Sequence, residues 1–471
     1  MNKKITTLLF LSFLFLLPLF GQKAKYIFFM IGDGMGLNQV NIAEVYSAEL
    51  AGRNGVFPLV FTQFPYATFG TSYSLSHGVT DSGAGGTALA VGKKTRNGVI
   101  GMDSAATVPY KSIAYAAKAK GMRVGIATSV SIDHATPASF YANRPDRNMY
   151  YEIGLDLIKS NFDFFAGAGF IKPDKTFDNK DAPSLFPQFE KAGYQIVKGY
   201  RAFQDAKKTQ NGKIILTNMD DTDQSALKYA IDQKAGDLNL AEITAAAIEA
   251  LTLNDKGDGF FLMVEGGKID WACHANDGAT AIHEVLDFNE SVKLAFEFYK
   301  KHPEETLIIV TADHETGGIG IGNGSSRLNT KALNGQVVSQ GELSTHIREL
   351  RKTNPNASWE EVKSVLQQNL GLWSTAKVAE NDEKQLFTAY ERSFVKHENE
   401  TEKSLYANDD KIAALSISIL NKISSVSWAS GGHSAAYIPI YAIGAGAELF
   451  RHKMENVDIP KKIAMAAGLE F

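Results

Sequence analysis

A single cysteine, Cys273, in 471 residues rules out any intrachain disulfide, so neither a disulfide framework nor a cysteine-rich zinc motif can hold the fold. Stability has to come from an apolar core or from bound ions. No block of lysine and arginine of the kind that tracks a phosphate backbone occurs, and the 48 Lys and Arg are outnumbered by 52 Asp and Glu. Nucleic-acid binding is therefore not expected. Past the amino terminus there is no apolar run of membrane-spanning length, and no internal repeat is evident. What remains is 44% hydrophobic and 21% charged, a globular composition that excludes a disordered or fibrous chain. The length suits one large α/β domain with an insertion as well as it suits two or three average domains.

Lys3 and Lys4 precede an apolar run from Ile5 to Phe20, closed by Gly21 and Gln22. The run falls short of the ~20 residues that cross a bilayer, and the pattern reads as a secretory signal peptide over 1–22. The mature chain, 23–471, is then expected to be exported, periplasmic or secreted, with no stable membrane anchor after cleavage.

Short β-branched and aromatic runs alternate with helical patterns, the signature of βαβ units around a mostly parallel sheet with helices on both faces. Expected strands are Tyr26–Ile31, Arg123–Thr128, Phe162–Ala166, Lys213–Leu216, Phe260–Val264, Thr306–Thr311 and Ile438–Ile443. Expected helices include Gly83–Val91, Lys111–Lys120, Met149–Ser160, Ala241–Leu253 and Ala279–Lys300. The alternation stops between 318 and 427. There a capping box at Ser358 and Glu361 opens a helix that Gly371 closes, and a further helix over Lys411–Ile423 leads back to the sheet. This stretch reads as an inserted helical subdomain, since structureless loops of such length are rare. It is a candidate subunit contact, which leaves a homodimer open.

Ligands in open α/β sheets collect at the carboxyl ends of strands. Gly32-Asp33-Gly34-Met35-Gly36 follows the first strand and on its own reads as a tight turn. Glu265-Gly-Gly-Lys-Ile-Asp270-Trp271-Ala-Cys-His274 follows another, with Asp270 and His274 spaced for one face of a helical turn. Asp313 and His314 follow a third, and Ser430-Gly-Gly-His433 precedes the last. His302, His346, His397 and His452 stand in charged surface contexts and His283 lies within a helix. Three carboxylates and three imidazoles supply two mixed nitrogen and oxygen sites, closer to zinc than to calcium chemistry. Glu265 with the Thr136 hydroxyl suits a harder ion such as magnesium. In Thr80-Asp81-Ser82-Gly83-Ala84-Gly85-Gly86-Thr87-Ala88, Ser82 is either a helix N-cap or a hydroxyl presented where a helix start can hold phosphate.

Five strings in order, IGDGMG, TDSGAGGTA, HATPA, VEGGKID with His274, and TADHE, make the sequence resemble the metal-dependent alkaline phosphatases over nearly all of the mature chain. The resemblance implies a phosphomonoesterase in which Ser82 is the nucleophile and passes through a phosphoserine. It implies one zinc on Asp270, His274 and His433, a second on Asp33, Asp313 and His314, and magnesium on Asp33, Thr136 and Glu265. It also places a phosphate-gripping arginine at Arg147. His134 and Trp271 depart from the better-known bacterial pattern, which has aspartate and lysine there, so their parts beside the third metal and the phosphate are expected to differ. The expected partners are small phosphate monoesters. The alternatives are a phosphodiesterase on the same scaffold, or a secreted metal- or phosphate-binding protein without turnover. A sulfatase is disfavoured because Ser82-Gly83-Ala84-Gly85 lacks the Pro and Arg of its motif. Cys273 reads as a buried bystander.

Overall fold

The computed structural model describes residues 23–207, 212–219, 224–253, 255–324, 326–398 and 400–471; the expected leader over 1–22 lies outside them. Among the described residues, ten strands form one sheet in the order Met454–Glu455, Tyr66–Thr71, Ile438–Gly444, Thr306–Thr311, Tyr26–Gly32, Phe260–Gly266, Arg123–Thr128, Phe164–Ala166, Lys213–Thr217, Tyr194–Lys198. All seven expected strands are present. Most neighbours run parallel. The exception is Ile438–Gly444, antiparallel to both Thr306–Thr311 and Tyr66–Thr71.

The central strands are buried on both faces, which is why they read as continuous apolar runs rather than alternating ones. Two apolar clusters flank the sheet. One contains Phe29, Ile126, Phe140, Phe165 and Ile309, and the other Phe28, Leu262, Ile282, Val285 and Ile308. Adjacent strand residues alternate between the two, as the pleat requires.

The helices expected around the sheet form as Ser82–Val91, Ile113–Ala119, Tyr150–Ser160, Leu240–Thr252 and Gly278–Lys301. Between 318 and 427 the chain forms helices Gln340–Thr353, Trp359–Leu370, Glu380–Tyr390 and Lys411–Ile423. The Ser358 and Glu361 capping box forms in both directions, and Gly371 ends that helix in the left-handed region. Leu343, Ile347, Val362, Leu366 and Leu386 from this stretch join the same apolar cluster as Phe28 and Ile282. The stretch is therefore seated on one face of the sheet through shared core. No helix among the described residues is long and apolar enough to cross a membrane.

Strand register sets up the site. Ile31 pairs with both Glu265 and Thr311, Thr128 pairs with Glu265, and Gly32 pairs with Gly266. Asp33, Glu265 and the residues just after Thr311 are thus delivered to one level at the carboxyl ends of three adjacent strands.

Candidate active site

Beyond Thr311 the chain bends and re-enters a two-residue strand, Glu315–Thr316, which pairs antiparallel with His433–Ser434. This miniature ladder sets His433 against His314, their rings stacked at 3.6 Å and 21°. Glu315 fastens it: one carboxylate oxygen accepts from Gln39 Nε2 at 2.7 Å and from the Gly318 N–H at 2.9 Å, the other from the Ser434 hydroxyl. Nothing local in the sequence marks Glu315 for this part, because two of its partners, Gln39 and Ser434, lie far along the chain. The helix Lys268–His274 supplies Asp270 and His274, four residues apart on one face as their spacing predicts.

Each of the three imidazoles has its tautomer fixed from behind. His274 Nδ1 donates to the Gly431 carbonyl at 2.6 Å, and His433 Nδ1 donates to the Thr80 carbonyl at 2.8 Å. His314 Nδ1 lies 3.2 Å from the Thr316 hydroxyl, whose own hydrogen goes to Asp270 Oδ1. Because a carbonyl only accepts, Nδ1 carries the proton and Nε2 is left with a bare lone pair. Yet the Nε2 atoms of His274 and His433 face each other at 3.1 Å. Two lone pairs at that separation repel unless a cation stands between them and the nearby carboxylates.

The spacing agrees. A tetrahedral ion with ~2.0–2.1 Å bonds holds its ligand atoms about 3.3–3.4 Å apart. His314 Nε2 lies 3.3 Å from Asp33 Oδ1 and 3.4 Å from Asp313 Oδ2. Asp270 Oδ2 lies 3.4 Å from His274 Nε2, and Asp270 Oδ1 lies 3.5 Å from His433 Nε2. Asp33, Asp313 and His314 form one group able to hold an ion; Asp270, His314 and His433 form an adjoining one; Asp33, His134 and Glu265 form a third. His314 thus borders two groups, and His134, expected only beside the third ion, comes within ligand reach of it. The Thr136 hydroxyl donates to Asp33 Oδ2 at 3.4 Å and to Asp313 Oδ2 at 3.3 Å, and the Thr128 hydroxyl donates to Glu265.

Electrostatics make the same demand. Burial, then the charges of Asp313, Asp270 and Glu265, push the Asp33 carboxyl well above the usual carboxylate range. Burial pushes Glu265 up to about 8, and burial with the Asp270 charge pushes Asp313 up to about 7. Burial opposes the ionisation of Asp270 as well, but the neighbouring His274, His433 and His314 outweigh it and hold that carboxyl low. Buried like charges cost free energy until an opposite charge arrives. Asp33 Oδ1, Glu265 Oε1 and Asp270 Oδ2 have no hydrogen-bond partner among the described residues.

Ser82 is buried and opens the helix Ser82–Val91, its Oγ 3.2 Å from His314 Nε2. It is not the N-cap. Asp81 takes that place, accepting from the Ala84 N–H at 2.9 Å through Oδ1. Through Oδ2, Asp81 accepts from the Gly98 N–H at 3.0 Å and from Arg147 Nη1 at 3.1 Å. Arg147 Nη2 reaches His134 Nε2 at 3.4 Å. The Trp271 ring stands edge-on to His134, 6.1 Å away. The structure therefore brings together every residue that the sequence singles out, and it adds Asp81, whose carboxylate ties the serine helix to the arginine. Cys273 is buried, its Sγ 3.8 Å from Gln39 Nε2.

The turn after the first strand tolerates only glycine at 34. Its φ is +70°, and a Cβ there would sit 2.9 Å from the Asp270 Cα and 2.9 Å from the Thr316 hydroxyl. Gly34→Ala is expected to cost about 2–4 kcal/mol, combining left-handed strain with overpacking. Denaturant melting of the purified variant checks it; an unchanged midpoint would mean the turn relaxes freely.

A mostly parallel sheet that gathers carboxylates, lone-pair imidazoles and a helix-borne serine at its carboxyl edge is built for a metal-dependent hydrolase of the α/β class. The alkaline phosphatase family model matches residues 24–163 and 170–469. Alkaline phosphatase 3 of Bacillus subtilis (strain 168) is 32% identical over 453 residues, spanning 94% of this chain and 89% of its own. The cold-active alkaline phosphatase of the psychrophile Shewanella sp. superposes with a TM-score of 0.77 at 28% identity, covering 95% of this chain and 100% of that one. A TAB5 alkaline phosphatase variant with histidine changed to aspartate, solved with magnesium in a site termed M3, gives 0.64 at 25% identity, covering 96% and 99%. The chain belongs to the alkaline phosphatase family, a family of metal-dependent phosphatases.

Proposed function

We propose that this chain is an exported phosphomonoesterase that works through a phosphoserine on Ser82 with two zinc ions and one magnesium. The observation that carries the reading is the set of three imidazoles, each with Nδ1 fixed and Nε2 turned toward buried carboxylates and, for His314, toward Ser82. Asp270, His274 and His433 would hold one zinc, Asp33, Asp313 and His314 the other, and Asp33, Thr136 and Glu265 the magnesium. Bound there, the ions supply Lewis-acid charge and lower the pKa of a hydroxyl or water.

The chain's own groups do the rest. Ser82 Oγ, at the positive end of a helix and with its proton given up to solvent, attacks phosphorus in line as the ester oxygen leaves with its bond electrons and takes a proton from water; a second water then cleaves the phosphoserine, releasing phosphate and returning a proton to Oγ. Arg147, fixed by Asp81, presents its remaining N–H groups to the phosphoryl oxygens. The leader-like sequence of residues 1–22 supports export. A metal count on purified protein, combined with hydrolysis of a simple aryl phosphate, tests the whole. Fewer than two tightly held divalent ions, or no hydrolysis by metal-loaded protein, would overturn it.

His134 brings an imidazole to the third group where a carboxylate would add charge. That the TAB5 alkaline phosphatase with a histidine changed to aspartate was solved with magnesium in its M3 site supports reading a histidine beside such a site as a residue that tunes it. Ligand charge tunes affinity for such ions over decades. His134→Asp is expected to lower the magnesium concentration for half-maximal activation about tenfold, measured by titrating magnesium into zinc-loaded enzyme. An unchanged midpoint would remove His134 from that site.

A further inference from the structure

The segment between 318 and 427 reaches the site through a short hairpin. Thr401–Lys403 pairs with Asn408–Asp410, and the four-residue tip is closed by Ser404 N–H to the Ala407 carbonyl at 3.0 Å and by Ala407 N–H to the Ser404 hydroxyl at 3.1 Å. Its base is clamped to the helix Gln340–Thr353. Arg351 Nη2 meets Asp410 Oδ2 at 2.6 Å, Gln340 Nε2 donates to Asp409 Oδ2 at 2.7 Å, and the Asp410 N–H donates to the Ser344 hydroxyl at 2.9 Å. Of the tip residues, Leu405 is 60% exposed while Tyr406 turns inward. The Tyr406 ring stacks on Trp271 at 4.3 Å and 12°, edges toward His274 at 5.5 Å and toward His134 at 5.9 Å.

Packing alone does not account for this placement. The Tyr406 hydroxyl and the Trp271 Nε1 are both buried, and both lack a hydrogen-bond partner among the described residues. An indole N–H can only donate, and a neutral phenol donates readily, so each needs an acceptor that its surroundings do not provide. A phenylalanine would have filled the same space without leaving a buried hydroxyl unpaired. Two stacked donors beside the imidazole that meets Arg147 match the chemistry of a ligand rich in acceptor oxygens.

We propose that Tyr406, delivered by this hairpin, is a substrate-binding residue whose hydroxyl, together with the Trp271 N–H, donates to non-bridging oxygens of the phosphoryl group, directly or through one water. The proposal rests on the phosphatase assignment for its ligand, and it makes the 318–427 segment the mount of one of two neutral donors over the site, the other being Trp271 on the helix Lys268–His274. Neutral donors grip phosphate less firmly than an ammonium would, so product is held without being trapped.

Inorganic phosphate binding by titration calorimetry on metal-loaded enzyme, alongside KM and kcat for an aryl phosphate, tests this. Tyr406→Phe keeps the ring stack and removes one hydroxyl. The expected result is a five- to tenfold rise in both the phosphate Kd and KM, consistent with about 1–1.5 kcal/mol for one hydrogen bond, with kcat changed by less than about threefold and the melting temperature retained. Trp271→Phe should do the same, and the double variant should lose less than the product of the two if both donors serve one phosphoryl group. Leu405→Ser, on the exposed side of the same tip, should change nothing. An unaltered phosphate Kd in Tyr406→Phe overturns the proposal, and so does a lowered melting temperature with unaltered Kd, which would make Tyr406 a packing residue. If the wild type binds phosphate but turns nothing over, the phosphatase reading fails while the Kd comparison still decides the role of Tyr406. A wild type that does not bind phosphate sinks both.

Discussion

Ser82→Ala is expected to lower aryl phosphate turnover at least about a thousandfold while the protein keeps its metal and its melting temperature. The separation of these effects follows from local structure. Asp81, not Ser82, caps the helix Ser82–Val91, so removing the hydroxyl sacrifices no cap. Ser82 is buried in a close-packed corner where Gly85 already passes within 2.9 Å of the Asp313 carbonyl, measured from the Cβ that glycine lacks. Alanine fits where serine did. The groups that would hold ions, Asp33, Asp313 and His314, keep their mutual spacing without it. What is lost is the covalent route: with no Oγ near His314 Nε2, only water remains to attack phosphorus, less well placed and at a greater cost in orientation entropy. Stopped-flow assay with metal analysis on the same sample checks both halves. Full activity would put the nucleophile elsewhere, and loss of metal in step with activity would make Ser82 structural.

The parts of this site that can be read in the sequence are those set by strand ends. Parallel strands buried on both faces announce themselves as unbroken apolar runs, so Asp33, Glu265, Asp313 and His314 can be found by looking just past them. The sheet margins are not legible in this way. Tyr66–Thr71 is mostly half-exposed, Tyr194–Lys198 buries only Tyr194 and Val197, and Met454–Glu455 is two residues long, so none has the continuous pattern that marks a central strand. The helix Leu37–Leu50 escapes for a related reason: its apolar residues mix with Asn, Gln and Glu and form no clear stripe. Within the site, Asp81 is hidden by the serine next to it, since either residue can cap a helix. Tyr406, and Glu315 through Gln39 and Ser434, act on partners distant in sequence, and only the fold supplies that information. An aspartate one residue before a serine that opens a glycine-rich helix is the one local sign of Asp81 in the chain.

Arg147→Ala is expected to separate monoesters from diesters. The guanidinium is held from one side by the Asp81 carboxylate at 3.1 Å and from the other by His134 Nε2 at 3.4 Å. Burial works against its charge, but the Asp81 carboxylate outweighs that and keeps the group protonated. It is thus a fixed, planar, permanently charged fork that needs no reorganisation when substrate arrives. A phosphate monoester dianion offers such a fork a doubly charged end, whereas a diester carries one charge and replaces one of those oxygens with a second ester link. Two charge-assisted hydrogen bonds to a dianion, about 1.5–3 kcal/mol each when taken singly and less than additive together, put the loss in monoester kcat/KM at roughly a hundred- to a thousandfold. The same change should cost a diester no more than about tenfold, because one weaker contact is all that it forfeits. Assaying an aryl phosphate and its bis-aryl counterpart on wild type and variant measures the ratio directly. Equal losses on the two would favour the diesterase alternative, since an arginine that does not reward the second charge gives the site no reason to prefer a monoester.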